Sequence, residues 1–108
     1  MRLHFKGGWA VRNDFIPVLL GADINAYSMA RAFYEAYGVT SIVYGIYPAS
    51  VCAGSRMIDY RVRPGNDRVE QVLANVSEVA NAHPDKQILV LGCGDNYVQM
   101  AAHCRDSL

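Results

Sequence analysis

Short, continuously apolar segments alternate with amphipathic helices along most of this chain, and this alternation constrains the fold more than any other feature. Phe15 to Leu20 is an uninterrupted apolar run that ends at Gly21, as expected of a strand buried on both faces of a parallel sheet. Pro17 counts against a central place for this strand, because proline has no N–H to donate, but its place near the strand start weakens this objection. Further strands are predicted over Ser41–Tyr44, Met57–Val62 and Gln87–Leu91.

The segment after the first strand has the periodicity of a helix with one buried face. It predicts a helix over Asn25–Tyr37, capped by Asp23 or Asn25 and ended by Gly38. Its apolar stripe is Ala26, Met29, Ala30, Phe33 and Tyr37.

Two more helices are predicted nearer the C-terminus. The first runs from Asp67 to about Ala82, where Asp67 and Glu70 resemble a capping box and His83-Pro84 stops the helix. The second covers about Asn96 to Arg105, and Asp95 can cap it. The apolar stripe of the first is Val69, Val72, Leu73, Val76 and Ala80.

The resulting order, β-α-β-β-α-β-α, predicts a Rossmann-like α/β fold. We expect an open, mostly parallel sheet of about four strands, with right-handed crossovers and helices on both faces. With 108 residues, 52% of them apolar, the chain has room for one such core. We divide it into a leader over 1–13 and one domain over 14–108.

The charge balance and the cysteines exclude several classes of protein. Ten basic residues balance ten acidic ones, so nothing directs the chain to nucleic acid or an anionic membrane. No apolar stretch approaches the ~20 residues of a membrane span, and the first residues do not form a signal peptide. Three irregularly spaced cysteines favour reduced thiols over disulfides. We therefore expect a cytoplasmic protein.

Three loops are candidates for a ligand site, because open α/β sheets bind ligands beyond the carboxyl ends of their strands. They are the segments 21–25, 45–56 and 92–96. The first could hold an anion at a helix N-terminus, but it lacks GxGxxG, and a simple turn with a helix cap explains it as well. The third is equally compatible with a βα turn. Cys93, Asp95, His103 and Cys104 fit no standard zinc spacing, so no metal is expected.

Two segments resemble a known family. The run from Phe15 to Gly38 looks like the opening of ATP-grasp carboxylate–amine ligases, in their D-aspartate ligase-like, carbamoyl-phosphate-synthase-like branch. Ile88 to Tyr97, with its Cys-Gly-Asp turn, is similar to a second family segment, and Ser55 to Ile58 to a weaker third. The resemblance covers roughly residues 14 to 108.

The resemblance implies the pre-ATP-grasp lobe of an enzyme that activates a carboxylate as an acyl phosphate with Mg-ATP and then lets an amine attack it. ATP and Mg would be bound by ATP-grasp domains C-terminal to this chain, so the fragment is expected to be inactive alone. No catalytic or metal residue is carried over. The resemblance suggests these substrate-cleft positions for a small carboxylate or amine: Gly21, Asp23, Asn25, Arg56, Gly94 and Asp95.

Two other interpretations stay open. The chain could be a stand-alone Rossmann-like module that binds a nucleotide or anion at the Gly21 loop. It could also be an oligomerisation domain without a ligand. A homodimer is possible, since self-association could hide an exposed apolar patch, and a stable dimer with empty clefts would favour the oligomerisation domain. The loop 51–54 differs from the usual family sequence, so the acid and amine substrates are not predicted.

Overall fold

The sheet and its two flanking helices are built from the alternation seen in the sequence. The structure is a computed structural model, and it describes residues 14–66, 68–93, 98–99 and 102. Its elements are β1 (Phe15–Leu20), α1 (Ile24–Tyr37), β2 (Ser41–Gly45), β3 (Ile58–Val62), α2 (Val69–Ala82) and β4 (Gln87–Gly92).

The four strands form one all-parallel sheet in the order β3-β2-β1-β4. The chain passes from β1 through β2 to β3 at one edge of the sheet and then returns to place β4 on the other side of β1. The strand order therefore reverses between β1 and β4. The predicted Rossmann-like class is therefore confirmed. Residues 98–99 and 102 are helical, while the rest of the predicted last helix and the leader 1–13 lie outside the described residues.

Each face of the sheet carries its own hydrophobic core, because side chains alternate along every strand. The predicted helix stripes supply the other half of each core, with Ala26 and Ala30 from α1 and Val72 and Val76 from α2. The core under α2 is Val18, Leu20, Ile42, Tyr44, Val72, Val76 and Val79. The core under α1 is Leu19, Ala26, Ala30, Val43, Cys52, Ile58 and Cys93.

The ends of α1 follow local chemistry. Asp23 is the N-cap, and its Oδ1 accepts from the backbone N–H groups of Asn25 (2.9 Å) and Ala26 (3.3 Å). The helix therefore starts at Ile24, one residue earlier than predicted. Gly38 closes it in the left-handed region, at φ 69°, as predicted.

The capping box proposed for α2 is wrong. The helix begins at Val69 with Arg68 as its N-cap, and the Arg68 side chain makes no capping hydrogen bond. Asp67 itself lies outside the described residues. Since Arg68 now occupies the cap position, Glu70 falls one residue too early to complete a box, although its charge still suits the first turn.

The objection that Pro17 raises to a central strand does not hold, because β1 lies between β2 and β4. The carbonyl of Asp14 accepts from Gln87 of β4. Backbone groups of alternate residues face the same neighbour, so the nitrogen of Pro17 faces β2 instead. Pairing with β2 starts at Val18, one residue later. The missing N–H therefore costs no ladder hydrogen bond on either side.

A buried polar network joins β2 to α2. Asn66 Nδ2 donates to the carbonyl of Tyr44 (3.2 Å), and Asn75 Nδ2 donates to Asn66 Oδ1 (2.6 Å). Gln71 Nε2 then donates to Asn75 Oδ1 (2.9 Å), and the Tyr44 hydroxyl donates to Glu78 (2.7 Å). These bonds hold the segment after β3 against the helix that follows it.

Ser41, at the start of β2, offers a first test of the core. Its buried Oγ has no hydrogen-bond partner within the described part of the chain. Ser41→Ala removes this hydroxyl, so the free energy of unfolding should rise by about 1 kcal/mol in urea denaturation. Ser41→Thr keeps the hydroxyl and should give no such gain. A loss of stability in the alanine variant would contradict the assignment.

Candidate functional site

The carboxyl ends of β1, β2 and β4 surround a cavity of about 280 Å³, at the side of the sheet where ligand sites were predicted. All three candidate loops reach it. The lining residues are Gly21, Ala22 and Asp23 after β1, Gly45 at the end of β2, Ile46, Tyr47, Ala49 and Ser50 after β2, Tyr60 from β3, and Cys93 after β4.

The loop after β1 turns sharply into α1. Gly21 is buried and has φ 104°, a conformation that L-residues rarely adopt, so glycine is required at this turn. Asp23 follows at the helix start, where its carboxylate already accepts two backbone N–H groups. The Asp23 carboxylate therefore already occupies the start of this helix, and its negative charge would repel an anion placed there.

Two hydroxyl groups hold the loop after β2 in place. Ser50 Oγ donates to the carbonyl of Ala22 (2.7 Å) and accepts from the backbone N–H of Cys52 (3.0 Å), which ties this loop to the one after β1. Tyr60 Oη donates to the carbonyl of Tyr47 (2.5 Å). Both hydroxyl groups therefore already have protein partners.

Gly45 sets how closely the loops after β1 and β2 can approach each other. A Cβ at this position would collide with Tyr60 Oη and would lie 2.8 Å from the Cβ of Ala22. Because Ala22 has no rotatable side chain, the second contact could be relieved by backbone movement alone. The absence of a side chain at Gly45 therefore lets the loops after β1 and β2 approach each other.

The formal charge of the cavity is slightly negative. Within the described lining, Asp23 is the sole carboxylate, and no lysine, arginine or histidine is present. Among the described residues, no group of three or more His, Cys, Asp or Glu side chains is arranged to hold a metal ion.

Two thiols are buried beside this cavity. Cys52 and Cys93 belong to the core under α1 and are not joined in a disulfide. The pKa of the Cys93 thiol is raised to about 11, first by burial and then by the nearby charges of Asp23 and Cys52. Burial also raises the pKa of Cys52. Both groups are therefore protonated at neutral pH and suit a structural role better than a nucleophilic one.

The raised pKa of the Cys93 thiol predicts slow alkylation in the folded protein. In a Cys104→Ser background, iodoacetamide should modify Cys93 far more slowly than in the urea-unfolded chain, and its rate should rise only as pH approaches 11. Peptide mass spectrometry would give the rate at each cysteine. Rapid labelling of the folded chain near neutral pH would contradict the raised pKa.

The same pKa has a consequence for stability. An unfolded thiol loses its proton near pH 9.0, whereas the folded Cys93 keeps its proton until about 11. The unfolded state binds fewer protons in this interval, so the free energy of unfolding should fall as pH rises through it. Cys93→Ala should flatten this fall without abolishing it, since Cys52 contributes in the same direction.

The structure brings together some of the six predicted cleft positions and leaves others apart. Gly21 and Asp23 line the cavity. Asn25 is exposed on the first turn of α1, and Arg56 is exposed on the loop before β3; neither lines this cavity. Gly94 and Asp95 lie outside the described residues. A role for any of the six in substrate binding stays a prediction.

Several lining residues were missed by sequence reasoning. Gly45 and Ser50 fall within the predicted loop 45–56 but were not singled out, and Tyr60 was assigned to a strand without a role. The register of β2 and β3, which places Val43 beside Tyr60, brings this tyrosine to the cavity. That pairing depends on strand order, which the local sequence pattern does not contain.

The fold and cavity define an open α/β domain with a ligand-sized cleft at the reversal of its strand order. By sequence, the chain is similar to D-aspartate ligase of Enterococcus faecium (strain Aus0004), with 32% identity over 98 residues. The match covers 88% of this chain but 23% of that ligase, so the chain spans about a quarter of its relative. No protein-family model and no solved structure matches the chain.

The likeness to a D-aspartate ligase supports the resemblance to that family of ligases seen in the sequence, at the level of the family. As for membranes, the described helices include none long and apolar enough to cross one.

Proposed function

We propose that this domain is the N-terminal, substrate-cleft lobe of an ATP-dependent carboxylate–amine ligase of the ATP-grasp type. The observation that carries the proposal is the 98-residue match to D-aspartate ligase, which extends over nearly all of the domain. The chain matches 23% of that ligase, so the whole activity of the ligase is not expected of this chain alone. The lobe therefore contributes part of the substrate site, and catalysis requires domains beyond this region.

The cleft geometry supports this role. A cavity of about 280 Å³ is large enough for a small amino acid and too small to enclose a nucleotide. Three large apolar side chains around the carboxyl-end loops are exposed: Ile24 (60%), Tyr47 (71%) and Val51 (49%). Exposed apolar groups beside an open cleft suit a surface that another domain covers. We propose that the ATP-grasp domains are that partner.

The residues of this cavity do not fit Mg-ATP. A triphosphate needs positioned cations, but the described lining has no lysine or arginine, and the Asp23 carboxylate already occupies the start of α1. This disagreement supports placing the ATP site in the other domains. The same observation counts against a stand-alone nucleotide-binding module, which would have to use this helix end.

Calorimetry with Mg-ATP tests the assignment. The 108-residue chain, shown to be folded by circular dichroism, should give no heat beyond dilution when titrated with Mg-ATP. A protein of established ATP affinity, titrated in parallel, provides the positive control for ATP binding. Micromolar binding by the isolated chain would refute the lobe assignment and favour the nucleotide-binding module.

A further inference from the structure

A second cavity lies at the amino ends of β1 and β4, at the opposite edge of the sheet from the candidate site. Phe15 and Gln87 begin their strands there, and Tyr37 ends α1 beside them. The cavity has a volume of about 330 Å³ and is lined by Phe15, Phe33, Tyr37, Gln87, Ile88 and Leu89. It is therefore found where the chain enters the central strand.

Three aromatic rings form the wall of this cavity. The ring centroid of Phe15 lies 6.0 Å from that of Phe33 and 5.6 Å from that of Tyr37, and both pairs meet edge to face. Such contacts are favourable between aromatic rings, so the cluster suits a further aromatic side chain. Gln87 adds an amide oxygen, the kind of acceptor that an indole N–H needs when it is buried.

The chain that precedes β1 approaches the sheet beside this cavity. The leader, residues 1–13, lies outside the described residues and ends two residues before Phe15. The chain bends at Asp14, whose carbonyl accepts from the backbone N–H of Gln87. Because of this bend, the direction of β1 does not continue into the residues before Asp14.

We propose that the leader folds back over this cavity and that Trp9 is the side chain which fills it. Trp9 precedes Phe15 by six residues, a distance of at most about 20 Å along the chain, so its indole can reach the aromatic cluster. In an extended segment Trp9 and Val11 share one face, and Arg12 lies on the other. The apolar pair then faces the domain, and the charge faces water. This proposal does not depend on the proposed function.

Two other occupants fit the cavity less well. The segment that follows β4 starts beyond Gly92, about 17 Å from Gln87 at the usual rise per residue of a strand. Residues 94–108 contain one aromatic side chain of the Phe, Tyr or Trp type, Tyr97. A second copy of the chain would have to bring its aromatic side chain from solution. The leader is instead attached beside the cavity, which gives Trp9 a high effective concentration there.

Fluorescence tests the proposal directly, because Trp9 is the sole tryptophan of the chain. In the folded wild-type chain, the emission of Trp9 should lie at shorter wavelength than in the urea-unfolded chain. Acrylamide should quench it several-fold less. Both values should be independent of protein concentration. Emission and quenching like those of the unfolded chain would overturn the proposal.

Two matched variants locate the contact on α1. Tyr37→Lys puts a charge into the cavity and should raise the quenching of Trp9 nearly to that of the unfolded chain. Tyr34→Lys makes the same change at a half-buried tyrosine of the same helix that does not line the cavity, and should leave the quenching unchanged. Equal quenching of Trp9 in the two variants would contradict its place beside Tyr37.

Nuclear Overhauser effects keep the test valid should Tyr37→Lys fail to fold. In the wild-type chain, the indole protons of Trp9 should show these effects with the ring protons of Phe33 and Tyr37. Effects between these rings and residues 94–108 in place of Trp9 would assign the cavity to that segment and overturn the proposal. Effects from Trp9 that arise only between differently labelled copies would assign it to a second copy and overturn the proposal as well.

Discussion

Asn75→Ala should lower the free energy of unfolding by about 2–3 kcal/mol, one of the two largest effects expected of a single substitution here. Asn75 is 2% exposed, donates to Asn66 and accepts from Gln71. Its removal leaves the fully buried Asn66 Oδ1 without this donor and opens a small cavity under α2. Urea denaturation would measure the loss, and the melting temperature should fall by roughly 10–20 °C.

Asn81→Ala is the matched control, because Asn81 is exposed near the end of the same helix. This variant should change stability by less than about 0.5 kcal/mol. Equal effects from Asn75→Ala and Asn81→Ala would mean that the loss reflects the helix in general and that the buried network contributes little.

Gly45→Ala should destabilise the domain by about 2–3 kcal/mol, because the added Cβ overpacks the contact between the loops after β1 and β2. The added Cβ cannot be accommodated by turning Tyr60 alone, since the Ala22 Cβ would still be 2.8 Å away. The loops after β1 and β2 must therefore separate. We expect the Ser50–Ala22 hydrogen bond to weaken in consequence. Thermal denaturation and the exchange rates of loop amides would report both effects.

Two further variants separate the steric cause from a general intolerance of the loop. In the double variant that combines Ala22→Gly with Gly45→Ala, the Ala22 Cβ is absent and the new Cβ has more room. This variant should therefore recover part of the lost stability. Gly54→Ala meets no atom within 4 Å, and its cost of about 1 kcal/mol comes from the φ of +79° alone. Failure of the double variant to recover any stability would exclude the close approach to Ala22 as the cause.

The alternation of apolar strands and amphipathic helices was enough to predict the fold class. The run from Phe15 to Leu20 and the stripe of α1 were placed within one residue, because each pattern arises from local burial. Strand order was not predictable in this way. The objection raised by Pro17 did not hold because the cost of a proline depends on which neighbour its nitrogen faces.

The candidate site was predictable at the level of loops and not of residues. The rule that ligand sites follow the carboxyl ends of strands identified the three loops that meet at the cavity. The role of Gly45 depends on its distance from Ala22, and that of Tyr60 on its place beside β2. Similarly, Asn75 interrupts the apolar pattern of α2, and only its contact with Asn66 explains why an amide is buried there.

The pairing of β1 with β4 also sets the order in which the domain can be made. Phe15 pairs with Gln87, so the pairing of β1 with β4 joins residues that are far apart in the sequence. Contacts between such distant residues slow folding, because a long loop must close first. During synthesis, β1, β2 and β3 can assemble while β4 is still inside the ribosome. One side of β1 therefore stays unpaired until β4 emerges.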